Sequence, residues 1–215
     1  MRPYYSAARL FARGCCSALM GLEVRGEHHV PPRGGVVIAA NHISFFDPPV
    51  IGAAAPRELH FLAREDFFRV PVFGALIRSL GALPIRRGTA DLSGLSRAMD
   101  RLKGGAALLM FPEGGMMRDG ALHPARPGVG MMAVLASVPI VPCCISGSDR
   151  LGRRWRRGTR VRVWFGPARP WQDLAGPESD LVPGRALYQR LGEAVMREIA
   201  ILKTGQQTEA ARGAA

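Results

Sequence analysis

The distribution of apolar residues divides the chain into alternating strands and helices. Residues 36–40 and 106–111 are continuous apolar runs, which is typical of strands buried on both faces of a parallel sheet. Residues 138–145 repeat this pattern. Residues 91–103 carry apolar side chains at helical spacing and predict a helix that ends at the glycines 104–105. The alternation predicts an α/β fold with a mixed, largely parallel sheet flanked by helices.

Weaker patterns predict further elements. Residues 22–25 alternate and indicate a short strand, and residues 161–165 predict an edge strand. Residues 64–80 predict a helix broken at Pro71, because proline lacks the N–H that a helix interior needs. This segment has more apolar side chains than one buried face requires. The favoured interpretation places most of them in the core, and the alternative is a ligand groove or a lipid-facing surface.

The two ends of the chain differ from its middle. Residues 4–20 predict an N-terminal amphipathic helix that either lies in a membrane interface, with its arginines at the headgroups, or packs on its own domain. The last helix is expected over about 183–203, followed by a frayed, polar tail. The predicted organisation is an amphipathic helix and lead-in (1–26), a main domain (27–203) and a flexible tail (204–215).

The composition is typical of a globular chain, and the charge indicates an anionic partner. The chain has 215 residues, and its 29 basic and 17 acidic residues give a net charge of +12. This charge indicates nucleic acid, a membrane surface or a phosphorylated ligand as partner. No apolar run reaches the ~18–20 residues of a spanning helix, and arginines interrupt the N-terminal pattern, which argues against a signal peptide. The four cysteines form two adjacent pairs without zinc or redox spacing and are interpreted as small buried residues in a reduced compartment.

One polar segment lies where a predicted strand gives way to a predicted helix. His42 and Asp47 are five residues apart there, so on one continuous helix they would point about 140° away from each other. They can meet only if the chain between them bends. In that case the carboxylate would accept from one imidazole nitrogen, and the other would be free to take a proton from a hydroxyl. Taken alone, each residue is more simply explained as a turn histidine or a helix cap.

Four ordered blocks, beginning with this segment, resemble the glycerolipid acyltransferase family, which includes the lysophosphatidic acid acyltransferases. The blocks are Asn41-His42-x4-Asp47, Gly81–Arg87, Phe111–Gly114 and Val138–Pro142. A bare His-x4-Asp is a weak signal, whereas four blocks in order over roughly half of the chain are specific. The resemblance implies acyl transfer from acyl-CoA or acyl-carrier protein to a lysophospholipid hydroxyl, with 1-acyl-glycerol-3-phosphate giving phosphatidic acid as the first expectation. It implies no metal and no bound cofactor.

The resemblance also implies roles for single residues. His42 would be the general base, oriented by Asp47. Arg87 would grip the acceptor phosphate, with a solvated arginine as the alternative. Glu113 would help to position the acceptor, with a loop salt bridge as the alternative. The other implied substrate-binding residues are Asn41, Gly114 and, as a weaker match, Arg126.

One position departs from the family pattern. After Phe-Pro-Glu-Gly the family usually continues with Thr-Arg-Ser, but this chain has Gly115-Met116-Met117. Because methionine cannot bind phosphate, either Arg86, Arg118 or Arg126 reaches the acceptor phosphate, or the headgroup carries less negative charge there. The first interpretation is slightly favoured, since three arginines are close in sequence. The second would fit a lyso-lipid built on an amino acid.

Charge and motifs together predict a peripheral membrane protein on the cytoplasmic face, with anionic lipids, a lyso-lipid and an acyl donor as partners. A nucleic-acid binder is the alternative from another class, carried by the arginines of residues 150–162 and by Trp155. No recognition motif accompanies that run, so no nucleic acid is expected. A non-catalytic lipid-binding relative is a further alternative, against which the intact His42 and Asp47 argue.

Overall fold

The computed structural model describes residues 3–86, 91–150, 160–176 and 182–212. Its strands are β1 Glu23–Arg25, β2 Val36–Ala40, β3 Leu59–Arg64, β4 Ala82–Ile85, β5 Ala107–Met110, β6 Ile140–Ser146 and β7 Arg162–Phe165. Its α-helices are α1 Pro3–Met20, α2 Asp47–Ala54, α3 Phe73–Ser79, α4 Leu92–Lys103, α5 Gly128–Ala136, α6 Trp171–Ala175 and α7 Arg185–Arg212. Short 3₁₀ turns lie at Glu27–His29, Glu65–Arg69 and Ser148–Arg150.

The strands form one seven-stranded sheet in the order β1-β7-β6-β2-β5-β3-β4. Every neighbouring pair is parallel except β6 and β7, which are antiparallel. The continuous apolar runs became the central strands, since β2, β5 and β6 are adjacent and buried on both faces. The predicted α/β class with a mixed, largely parallel sheet is therefore confirmed.

Helices cover both faces of this sheet. Successive β2 residues point to opposite faces, so Val36, Ile38 and Ala40 pack against α1 and α2. Val37 and Ala39 pack on the other face against α4, α5 and α7. Helix α3 shares the face of α1 and α2, because its cluster includes Phe61 of β3, which also packs with α2. The molecule thus has an α1–α2–α3 face and an α4–α5–α7 face.

Two predictions about the C-terminal part were wrong. Strand β7 is not an edge strand, because the three-residue β1 pairs with its other side. The last helix does not end near Lys203 but continues to Arg212. Gln206 explains the continuation, since its buried side chain donates to the Cys144 carbonyl at 3.0 Å. A sequence pattern does not reveal such a tertiary hydrogen bond.

The segment after β3 breaks at Pro71 as predicted, between a 3₁₀ turn and α3. Its assignment to the core was only partly correct. Phe68 is buried, whereas Val70, Val72 and Leu76 are 49%, 84% and 51% exposed. The segment lies at the β4 edge of the sheet, where one helix cannot bury apolar side chains on all sides.

Helix α1 packs on its own domain through one side. Tyr5 is buried, and its hydroxyl accepts from the Leu59 N–H at 3.1 Å. The arginines expected at lipid headgroups are turned inward: Arg9 donates to the Ala55 carbonyl at 3.1 Å, and Arg13 pairs with Glu27 at 2.5 Å. The opposite side of α1 is exposed and partly apolar. Among the described residues, none of the helices combines the length and hydrophobicity that crossing a bilayer requires.

Candidate active site

Three neighbouring strands end at one place in the sheet. Beyond the carboxyl ends of β2, β5 and β6, the chain places His42, Glu113 and Ser148, respectively. Ligand sites in open α/β sheets occur at this edge, because loops there are held by adjacent rigid strands. The predicted catalytic segment therefore lies where this class of fold carries its chemistry.

The turn between β2 and α2 brings His42 and Asp47 together as the spacing analysis required. Nδ1 of His42 lies 2.8 Å from Oδ2 of Asp47. The same oxygen accepts the backbone N–H groups of Ile43 and Ser44 at 2.7 and 2.8 Å. Asp47 is the first residue of α2, where the helix dipole favours a negative charge, and the following Pro48 needs no N–H partner.

A residue that sequence analysis missed completes the surroundings of Asp47. Oγ of Ser148 donates to Oδ1 of Asp47 at 2.5 Å, and both residues are 0% exposed. The two are 101 positions apart, so only the order of strands in the sheet brings them into contact. A lone Ser after a glycine carries no recognisable sequence signal. Asp47 is thus a buried carboxylate held by four donors, and its orientation is fixed.

These contacts leave one nitrogen of His42 available for chemistry. Because Nδ1–H donates to the carboxylate, the lone pair of the neutral ring is on Nε2. No residue that the structure describes forms a hydrogen bond with Nε2. The ring stacks on Phe111 with centroids 4.0 Å apart, and the side chain is 16% exposed. A substrate hydroxyl can therefore reach a nitrogen that is oriented to accept its proton.

Glu113 is buried, and its carboxylate accepts hydrogen bonds from two backbone N–H groups. It is 2% exposed; Oε2 accepts the His42 N–H at 2.8 Å, and Oε1 accepts the His123 N–H at 3.2 Å. Burial raises the pKa of this carboxyl, and the two N–H bonds oppose that shift. The Met117 N–H also donates to the His42 carbonyl at 2.7 Å. Hydrogen bonds from the loop of residues 113–123 therefore hold the His42 backbone in place, and Glu113 acts as a positioning residue for that backbone.

The other predicted substrate-binding residues have different surroundings. Asn41 is 1% exposed and binds both the N–H and the carbonyl of Ile145, so it joins β2 to β6 and does not face a ligand. Gly114 has φ +73°, and a Cβ there would lie 2.4 Å from Cδ of Arg126. The Gly114 backbone, which was expected to approach a ligand closely, thus approaches the Arg126 side chain. Arg126 itself is exposed beside Glu113.

The structure describes some, but not all, of the arginines that were predicted to bind phosphate. Arg87 lies outside the described residues, as does most of the arginine run, 151–159. Arg86 pairs with Glu65 at 2.9 Å. All three arginines considered as substitutes near Met116 are exposed, and Arg118 and Arg126 are the two that lie in the loop after β5.

The described cysteines and acidic residues do not form a second centre. Within the described ranges, no three His, Cys, Asp or Glu side chains are grouped as metal ligands. Cys143 and Cys144 are buried free thiols, and burial raises the pKa of Cys144 to about 12. A thiol this weakly acidic is protonated at neutral pH and is a poor nucleophile.

Sequence comparison relates the chain to enzymes of lipid synthesis. A family model described as Acyltransferase matches residues 21–146. A lyso-ornithine lipid O-acyltransferase of Pseudomonas aeruginosa is 35% identical over 63% of this chain and 51% of that protein. The human 1-acyl-sn-glycerol-3-phosphate acyltransferase alpha is 31% identical over 83% of this chain and 64% of that protein. A chloroplastic 1-acyl-sn-glycerol-3-phosphate acyltransferase of Brassica napus is 26% identical over 69% and 44%, so the chain spans about half the length of such relatives.

Structure comparison gives the same fold. The crystal structure of the 1-acyl-sn-glycerophosphate acyltransferase from Thermotoga maritima superposes with a TM-score of 0.71. The match covers 94% of this chain and 84% of that one at 24% identity. At this identity the likeness concerns the fold alone. It extends over nearly the whole sheet and its helices.

Proposed function

This chain belongs to the acyltransferase family, and we propose that it moves a fatty acyl group from a thioester to the hydroxyl of a lysophospholipid. The observation that carries the proposal is the His42–Asp47 pair at the carboxyl edge of the sheet, with Nε2 unoccupied by any described residue. A general base in this position suits attack by an alcohol, which is a weak nucleophile until its proton is removed. Asp47 would hold the ring orientation and stabilise the imidazolium.

The proposed reaction needs no covalent enzyme intermediate. The acceptor oxygen attacks the thioester carbonyl while Nε2 of His42 takes the hydroxyl proton. The tetrahedral intermediate then collapses, the carbon–sulfur bond breaks, and the thiolate receives the proton from Nε2–H. An ester and a free thiol result, and His42 returns to its neutral form. The donor is acyl-CoA or acyl-carrier protein, and the reaction itself requires no metal.

Two acceptors are supported by different observations. Lysophosphatidate is supported by the names of most of the relatives given above and by the exposed Arg126 beside the site. A lyso-lipid built on an amino acid is supported by the lyso-ornithine lipid O-acyltransferase and by Met116 in place of the family arginine. We favour lysophosphatidate. Purified protein offered labelled acyl donors with both acceptors, followed by mass analysis of the products, distinguishes them.

Replacement of His42 tests the assignment of the base. The His42→Ala variant should lose acyl transfer by roughly 10²–10⁴-fold, the usual contribution of general base catalysis. Asp47→Ala should approach the same loss. His123→Ala is the matched control, because His123 also pairs with a carboxylate, Asp119 at 2.7 Å, but on the exposed side of the loop. That variant should keep its activity, whereas near-normal turnover by folded His42→Ala protein would refute the proposed mechanism.

The site of action is proposed to be a membrane surface reached from the cytoplasmic face. A lyso-lipid acceptor resides in a bilayer, and the chain carries a net charge of +12. Each basic residue near an anionic surface contributes about 1 kcal/mol, so several together give stable but salt-sensitive attachment.

A further inference from the structure

Exposed apolar side chains are unevenly distributed over the described part of the molecule. Of its thirteen large exposed apolar side chains, nine belong to α1, the start of α2 and residues 70–76, all on the α1–α2–α3 face. The remaining four belong to α4, α5, α7 and the residue ahead of α7. Contiguous exposed apolar surface on one face is typical of an interaction site.

A strained turn forms part of this exposed surface. The Pro71 carbonyl accepts the Phe73 N–H at 2.6 Å, and Val72 between them has φ 62° and ψ −58°. These are the dihedrals of a γ-turn with positive φ, a conformation that a β-branched residue strongly disfavours. The Val72 side chain is 84% exposed, so packing against the described residues does not compensate for the strain. Retained strain of this kind points to a function of the exposed tip.

Aromatic contacts connect this turn to the active site. Phe45 follows His42 by three residues, and its ring lies 5.8 Å from that of Phe67 and 6.4 Å from that of Phe73. Phe45 and Phe46 are themselves 53% and 42% exposed. We call these side chains together the apolar rim. It consists of Phe45, Phe46, Phe67, Val72, Phe73 and Leu76.

The charges around the apolar rim are mixed, with a small excess of arginines. Residues 64–79 carry three arginines and two carboxylates. Arg64 pairs with Asp66 at 2.5 Å, whereas Arg69 is 76% exposed and lies 3.9 Å from Glu65. The chain as a whole carries a net charge of +12, which opposes the approach of a second copy. An exposed apolar surface on a chain of this charge instead complements a bilayer that contains anionic lipids.

We propose that the apolar rim inserts into the headgroup–acyl boundary of an anionic bilayer, with the γ-turn at Val72 as its deepest point. The inference rests on the proposed function, because a lyso-lipid acceptor has to pass between the bilayer and His42. The hydroxyl of Tyr4 donates to the Ser79 carbonyl, so the start of α1 adjoins the same surface. Insertion here would place the mouth of the active site at the membrane.

The first test measures binding alone, without acyl donor or acceptor. The native protein is sedimented with vesicles of phosphatidylcholine containing phosphatidylglycerol, and with vesicles of phosphatidylcholine only. Binding should be stronger to the first. The Val72→Ser, Leu76→Ser double variant should bind about tenfold more weakly, since two apolar side chains lose shallow burial. Ile201→Ser is the matched control, because Ile201 is 66% exposed on α7 of the opposite face, and its binding should be unchanged.

A second variant separates membrane contact from folding. Val72→Gly removes the side chain while glycine tolerates the turn, so this protein should melt no lower than the native one and still bind vesicles more weakly. Acyl transfer to a short-chain lyso-lipid dissolved in water should be the same for both Val72 variants and the native protein. Native-like vesicle binding by the double variant would overturn the proposal. The proposal would also be overturned if the native protein formed a solution dimer that the Val72 variants dissociate. The same holds if these variants changed only the KM for long-chain donors.

These measurements keep the two proposals apart. If no lyso-lipid is acylated but vesicle binding depends on Val72 and Leu76, the proposed function fails and the membrane-contact surface stands. If acylation occurs and vesicle binding does not depend on Val72 or Leu76, the proposed function stands and the proposed membrane-contact surface is refuted.

Discussion

At the scale of single residues, the central feature is the saturation of Asp47 with donors. Four groups from two distant parts of the chain converge on one carboxylate, and only His42 among them faces the substrate side. The His–Asp pair could be predicted, because its spacing and its neighbouring motifs identify it. Ser148 could not, since its contact depends on β6 lying beside β2 and on no local pattern.

Ser148 should therefore matter for catalysis without touching substrate. Ser148→Ala removes one charge-assisted hydrogen bond, worth about 1.5–3 kcal/mol, that holds the Asp47 carboxylate in place, and kcat/KM should fall roughly tenfold to a hundredfold because the His42 ring is then less well oriented. With one donor fewer, the Asp47 carboxylate stabilises the imidazolium more strongly. The pH at which kcat/KM reaches half its plateau should therefore move upward. Ser148→Thr, which retains a hydroxyl, should restore the native pH profile, whereas loss of activity with an unchanged profile would indicate a merely structural role.

Met116 decides between the two acceptors. If lysophosphatidate is the native acceptor, Arg86, Arg118 or Arg126 binds its phosphate, and Met116→Arg should change kcat/KM little. If the native acceptor is an amino-acid lyso-lipid, the added guanidinium should improve lysophosphatidate use by about tenfold to a hundredfold, the value of one charge-assisted bond. The comparison is made on lysophosphatidate and on a zwitterionic lyso-lipid, and a shift toward lysophosphatidate would contradict our preference.

At the scale of elements, the loop after β5 fixes the backbone of the turn that carries His42. Glu113 accepts one N–H from His42 and one from His123, so the two ends of this loop are tied to the same carboxylate. The sequence indicated a carboxylate after a buried strand but could not show which groups it would meet. On either side of Glu113, the Arg126 side chain lies against Gly114 and the N–H of Arg126 binds the Pro112 carbonyl at 2.8 Å.

Glu113→Gln tests this role. An amide offers one accepting oxygen, so one of the two N–H groups loses its partner, and kcat should fall by the equivalent of about 1–3 kcal/mol. Stability provides a second readout. Burial raises the pKa of Glu113, so the folded protein holds this proton to a higher pH than the unfolded chain. This carboxyl therefore makes the free energy of unfolding decrease as the pH rises through that interval, and the variant should lack that decrease. An unchanged slope would refute the assignment.

Elements themselves were predicted well where apolar periodicity is strong. The central strands and α4 were located from sequence, because a strand buried on both faces has a distinctive apolar run and α4 has apolar side chains at helical spacing. The three-residue β1 was indicated, but its pairing with β7 was not. The extension of α7 beyond Lys203 was missed, since polar residues such as Gln206 find partners that no periodicity shows.

At the scale of the whole molecule, the net charge indicates the kind of partner, and the exposed apolar side chains indicate a candidate contact surface. The net charge of +12 suggested an anionic partner from sequence alone, without indicating which surface would meet it. The fold gathers α1, α2 and α3 on one face and most of the exposed large apolar side chains with them. Under the proposal that this face enters a bilayer, its insertion would add to the long-range attraction that the net charge provides.

The convergence of β2, β5 and β6 also has a consequence for how activity arises during folding. Asp47 meets Ser148 across 101 positions, and Asn41 meets Ile145 across 104. Closing such long loops is entropically costly and slow, so these contacts belong to a late stage of folding. A nascent chain that has not yet extended past Ser148 would possess the motif His42-x4-Asp47 but no finished catalytic carboxylate. Under the proposed function, acyl transfer would therefore begin only after β6 has paired with β2.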